Sequence, residues 1–134
     1  TPDGRLAHTP VADGVSPSAG KDLFGPTAAA NSVAKLDHGI ASNGTLFNQK
    51  FHPSVLAGRT GLEAFVNFIR GYFDQKGSHI QFNVVSRDTL IEAQKNPEKY
   101  KTLVVRVAGY SALFTSLSRS LQDDIINRTE QRGF

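Results

Sequence analysis

The chain has 134 residues, 39% of them hydrophobic, which suits one domain of ordinary size with a sizeable core. Its net charge of +3 arises from 15 basic and 12 acidic residues scattered without a basic stripe, which argues against nucleic-acid binding. Cysteine is absent, so a disulfide framework, a thiolate zinc site and a cysteine nucleophile are all excluded, and no apolar run reaches membrane-spanning length.

Residues 1–26 are rich in Gly, Pro, Ser and Asp and read as loop, with Leu6, Val11, Val15, Leu23 and Phe24 as apolar points that could lie against something else. The opening "TPDGRLAHTP" reads as the interior of a protein, and Met is absent, so a fragment, a processed piece or one part of a larger assembly is expected. "PTAAANSVAKLDH" starts with proline and runs into alanines, which predicts a helix from Pro26. Asn43-Gly44 marks a turn, Thr45 to Phe51 reads as a short strand, and "HPSVLAG" as a loop or strand end. In "GLEAFVNFIRGYFDQKG" apolar residues recur every three or four positions, which predicts a helix with Gly77 as its terminator. "HIQFNVV" alternates, with His79, Gln81 and Asn83 on one face and Ile80, Phe82 and Val84 on the other. "SRDTLIEAQKNPEKY" reads as a helix capped by Ser86 or Asp88 and ended at Asn96-Pro97. A strand "TLVVRV", a loop "GYSALFTSL" and a closing helix capped near Ser118 or Ser120 complete the chain. The alternation of helices and strands predicts α/β units with parallel strands.

Few of the chemistry-bearing residues form a site. His8, His38, His52 and His79 have no metal-ligand spacing, so no metal site is predicted. Asp123 and Asp124 are neighbours on a helix and point apart, which favours a solvated pair over a catalytic dyad. The triplets at Asn43 and Asn127 are too short to signify glycosylation, and phosphate-binding glycine loops are missing. The polar face of His79, Gln81 and Asn83 could line a barrel interior or cavity; periodicity alone favours a plain half-exposed strand. Gly109, in "VVRVAGYSALF", sits where a strand-like run breaks, and a backbone angle is the ordinary reason for such a glycine. Glycine has a second property. Without a side chain its Cα radical can lie planar between an electron-donating amide nitrogen and an electron-withdrawing carbonyl.

"RVAGYSALF" followed by "LQDDIINRTE" resembles the C-terminal signature of glycyl radical enzymes. "DGVSPSAGKDLFGPTAAANSVAKLDH", "NGTLFNQKFHPS" and "FDQKGSHIQFNVVSRDTLIEAQKNPEKY" resemble the same family's C-terminal portion in the same order, so the likeness covers essentially the whole chain. "VRVAGYSA" with "NPEKY" upstream is similar to the dehydratase branch, which includes glycerol and propanediol dehydratases, choline trimethylamine-lyase, hydroxyproline dehydratase and arylacetate decarboxylases. "IASNGTLFNQKFHPS" leans toward the glycerol or diol dehydratases.

The resemblance implies the C-terminal part of a ten-stranded α/β barrel, with residues 1–103 in the catalytic barrel and residues 104–134 as a glycyl radical domain whose loop lies buried near the centre. It implies a radical at Gly109, installed by an activating enzyme that carries an iron–sulfur cluster and S-adenosylmethionine. That radical would draw a hydrogen from a cysteine, which in turn attacks a small-molecule substrate; a diol would then lose water with help from a carboxylate. The cysteine and its neighbouring glutamate must come from the rest of the enzyme chain. Arg106, Tyr110 and Ser111 are motif matches expected to support the loop, and Phe51, Pro53 and Val55 are candidates for a substrate pocket. Residues 104–130 would have to move out for activation. The family likeness further implies a cytoplasmic protein of an anaerobic bacterium, which a microcompartment could enclose, and a full-length homodimer; no nucleic-acid or membrane partner is expected. Rival readings are the same part of choline trimethylamine-lyase or hydroxyproline dehydratase, a non-catalytic spare-part subunit, and an α/β domain with an ordinary loop glycine.

Overall fold

A computed structural model describes residue 2, residues 4–9 and residues 11–134. Three parallel strands form its sheet: β1 (Asn48–Phe51) lies in the middle, with β2 (Gln81–Val84) on one side and β5 (Glu130–Gln131) on the other. A separate antiparallel hairpin is made of β3 (Val104–Arg106) and β4 (Ser111–Leu113). Four helices surround these strands: α1 (Gly25–Val33), α2 (Gly58–Asp74), α3 (Arg87–Lys95) and α4 (Arg119–Asn127). The parallel arrangement predicted from the alternating pattern is present in the three-stranded sheet. No helix among the described residues is long and apolar enough to cross a membrane.

The two faces of the sheet carry different chemistry. Phe47, Phe51 and Phe82 turn to one side, where they pack with Ala29, Ala30 and Val33 of α1 and Phe65, Phe68 and Tyr72 of α2. Phe51 is fully buried, with the rings of Phe65, Phe68, Phe82 and Phe134 centred 5.2–6.0 Å away in tilted or edge-on contacts. The opposite face is polar: Asn48, Lys50, Gln81 and Asn83 are all buried there. A second apolar cluster joins Leu90 and Ala93 of α3, Ile125 and Ile126 of α4, and Val105, Val107 and Phe114 from the hairpin region. This cluster draws its side chains from both sides of residue 103.

Local sequence explains most boundaries. The Ser86 hydroxyl accepts from the Thr89 N–H at 3.0 Å, so Ser86 is the cap of α3. Helix α2 begins at Gly58, three residues before the predicted stretch, and is closed by Lys76, not Gly77, in the left-handed conformation (φ 68°). The Gly77 N–H donates to the Tyr72 carbonyl and the Lys76 N–H to the Phe73 carbonyl, a Schellman closure. Gly77 is needed for another reason: a Cβ there would fall 2.3–2.5 Å from the Tyr72 ring. Two predicted loops need correcting. Residues 53–56 form a 3₁₀ turn, and "GYSALFTSL" contains β4 and a further 3₁₀ turn at Phe114–Ser116. The strand predicted over residues 45–51 is shorter, and β5 emerges after α4 where only helix was expected. The N-terminal segment does lie against the sheet. Val15 donates from its N–H to the Leu46 carbonyl at 2.8 Å, and Asp22 accepts from Thr129 and Gln131, whereas Leu6, Val11, Leu23 and Phe24 are exposed.

Candidate functional site

Gly109 occupies the tip of the β3–β4 hairpin. Arg106 pairs with Ser111, and the Val107 N–H donates to the Tyr110 carbonyl at 2.9 Å, leaving Ala108 and Gly109 as a two-residue loop. Gly109 has φ +76°, as at the second loop position of a type II turn, where a side chain is strained. The space beside it is open: a Cβ would meet only the Leu46 δ-carbons, at 3.7 and 3.8 Å. Gly109 is exposed in this chain, so the shielding expected of a buried radical loop is not supplied by these residues.

Below the tip, side chains from the polar sheet face hold the hairpin. The Asn83 carboxamide accepts from the Arg106 N–H and donates to the Arg106 carbonyl, both at 2.8 Å. Arg106 donates from Nε to Gln81 Oε1 at 3.0 Å and from Nη1 to the Ser111 hydroxyl at 3.2 Å. Gln81 in turn donates to Asn48 Oδ1. Arg128, just beyond α4, donates from Nη1 to the Val107 carbonyl at 2.9 Å and pairs with Asp124 at 3.0 Å and Asp13 at 3.5 Å. Asn48 Nδ2 reaches the same carbonyl at 3.4 Å and also donates to Asp13. Asn83, Asn48 and the Arg128 guanidinium thus satisfy backbone polar groups that burial would otherwise leave costly, while the Arg106 guanidinium ties the side chains of Gln81 and Ser111 together.

Beside this network lies a cavity of about 80 Å³, whose mixed lining includes Asp13, Asp22, Lys50, Asn83, Asp124 and Arg128. Lys50 is 2% exposed and donates from Nζ to the Ile125 and Ile126 carbonyls, at 3.2 and 2.9 Å. Those carbonyls belong to the last turn of α4, where a cation is favourable. Burial nevertheless pulls the Lys50 ammonium down to about 8, with Glu130 opposing that shift and Arg87 and Arg128 adding to it. Burial also works against the charge of Glu130, but the Arg87 N–H and the Arg132 guanidinium outweigh it and hold that carboxyl below its ordinary value.

The glycine radical family profile matches residues 11–115. The chain belongs to the glycyl radical family. A solved structure concerning 1,2-propanediol dehydration in Roseburia inulinivorans is 73% identical over 98% of this chain, with a TM-score of 0.94. The B12-independent glycerol dehydratase of Clostridium butyricum is 67% identical over 98% of the chain, with a TM-score of 0.95. The trans-4-hydroxy-L-proline dehydratase of Clostridioides difficile is 56% identical over 131 residues, 98% of the chain. The chain spans only 16–17% of these relatives' own lengths.

Within this glycyl radical chain, the structure brings Arg106 and Ser111 together beside Gly109. Tyr110 contributes its carbonyl to the turn, and its side chain is largely exposed. Phe51 lies in the aromatic cluster, Val55 packs at its edge, and Pro53 is exposed at the start of the 3₁₀ turn. Sequence reasoning missed Asn48, Asn83 and Arg128 as holders of the glycine hairpin. The alternation of "HIQFNVV" carried the signal for one of them: Gln81 and Asn83 share a face, and that face is buried under the hairpin, so a plain half-exposed strand is not what forms. Asp123 and Asp124 do point apart, the first toward Gln94 and Arg119 and the second toward Arg128. Among the described residues no group of three metal-ligating side chains occurs.

Proposed function

We propose that this chain is the radical-bearing C-terminal part of a glycyl radical lyase that dehydrates glycerol or a 1,2-diol. The observation that carries the reading is Gly109 itself, a left-handed glycine at an exposed hairpin tip with open space on its side-chain side. That geometry suits a stored radical, because the Cα has no substituent to crowd a planar arrangement and a group outside this chain can reach it. A radical held there would supply a one-electron acceptor for a hydrogen atom.

The chain's own residues fix where that acceptor stands. Arg106, Ser111, Asn83 and Arg128 set the height of the tip above the polar sheet face, while Leu46 gives it an apolar neighbour with no acidic proton. The 3₁₀ turn that follows β1 leaves the carboxyl end of a parallel strand, the side on which α/β sheets bind ligands. We place a wall of the substrate pocket there, in the stretch Phe51 to Val55, with Pro53 at its surface and the buried Phe51 ring supporting it. The cysteine that relays the hydrogen atom and the glutamate that assists water loss would come from the rest of the polypeptide. A separate S-adenosylmethionine-dependent enzyme would activate Gly109, in the cytoplasm of an anaerobe.

The higher identity to the propanediol and glycerol proteins than to hydroxyproline dehydratase supports a diol substrate. The test is anaerobic assay of the full-length protein with its activating enzyme. Aldehyde should form from 1,2-propanediol or glycerol and not in the Gly109→Ala variant. Turnover of trans-4-hydroxy-L-proline with neither diol consumed would overturn the substrate assignment.

A further inference from the structure

We propose that Asn83 is a positioning residue that latches the Gly109 hairpin to the parallel sheet through its side chain alone. Arg106 sits on an edge strand, and its N–H and carbonyl face β2, yet β3 and β2 share no ladder. The Asn83 carboxamide takes the place of a neighbouring strand, accepting from that N–H and donating to that carbonyl at 2.8 Å each. It is 6% exposed, so the pair is made away from bulk water. Gln81 braces the same residue through the Arg106 Nε.

This construction has a mechanical consequence. A continuous backbone ladder could be parted only by unzipping strands, whereas this junction is made of side chains, with the Asn83 carboxamide bonding both backbone groups of Arg106 and Gln81, Asn48 and Arg128 adding single bonds around it. The hairpin keeps its own three-pair register throughout. Its other face stays attached to α3 and α4 through Val105, Val107 and Phe114. The latch therefore holds Gly109 in register for chemistry and releases it for modification. That use rests on the reading of Gly109 as the radical site; the latch itself rests on the geometry of Asn83 and Arg106.

The test is hydrogen exchange of the full-length protein, unactivated, in wild type, Asn83→Ala and Asn83→Ser. Loss of two buried hydrogen bonds predicts roughly 5- to 100-fold faster exchange across residues 105–111. Exchange across β1 should change little. Unchanged exchange at residues 105–111, or equal loss of protection in β1, overturns the latch. If the alanine variant does not fold, the serine variant decides by the same pattern. The second readout is the rate at which the activating enzyme builds the paramagnetic doublet, which should rise in the variants; a slower rate overturns the releasing role. If even the wild type gives no doublet, the radical reading fails while the exchange data still judge the latch.

Discussion

Lys50 should make the seat of α4 more stable as the solution becomes alkaline. Its ammonium is buried between the sheet and the last carbonyls of α4, and its folded value is about 8 against an ordinary 10.5. Between those limits the unfolded chain binds a proton that the folded chain has released, so stability rises with pH. Below pH 8 both states are protonated, and the penalty for the buried charge is fully present. The slope should approach about 1.4 kcal/mol per pH unit, and the whole gain is about 3 kcal/mol once pH passes the unfolded value. The neutral amine can still donate to both carbonyls, so deprotonation need not unseat the helix. The assay is urea unfolding of the full-length protein and Lys50→Met between pH 8 and 9.5, comparing the two proteins at each pH so that other titrating groups cancel. The stability difference should move in favour of wild type by about 2 kcal/mol over that range. A difference that stays constant, or moves the other way, would refute the account of Lys50 as a buried charge.

Phe51→Ala removes a ring from the centre of the aromatic cluster and should cost about 3–5 kcal/mol, read as lower unfolding resistance. Phe51→Leu should recover most of it with little change in KM; a large KM change at full stability would mean the ring itself meets substrate. Glu130 accepts from the Arg87 N–H at the start of α3, and its lowered folded value means its contribution is present at neutral pH and is lost as pH falls through that lowered value. Glu130→Gln should weaken the α3 start by about 1 kcal/mol at pH 7 and show no such loss on acidification, measured by exchange of the α3 amides.

How far these features were legible in the sequence depends on how far apart their partners lie. The helix over residues 61–74 and the cap at Ser86 were readable because their determinants sit within one or two turns. The two faces of "HIQFNVV" were readable too, but that the polar face is covered as well as the apolar one was not. That is decided by Arg106, 23 residues later, whose backbone takes up Asn83. Lys50 looked like an ordinary strand lysine because the carbonyls it serves are 75 and 76 residues away. Strands β4 and β5, with three and two residues, are too short to show any alternation. Gly109 stood out only through the motif around it. Local pattern alone supports a turn glycine, and the turn is indeed there; the chemical use proposed for it rests on the motif.

The central claim is that Gly109 stores the radical. The most direct measurement is electron paramagnetic resonance of the anaerobically activated full-length protein, made with ordinary and with α-deuterated glycine. The account predicts a doublet from the remaining α-hydrogen that collapses on deuteration and is absent in Gly109→Ala, a variant whose fold should survive because the backbone strain of a side chain at φ +76° falls on an exposed hairpin tip, where the added methyl group meets only Leu46 at ordinary contact distance. A doublet that persists in folded Gly109→Ala would contradict it.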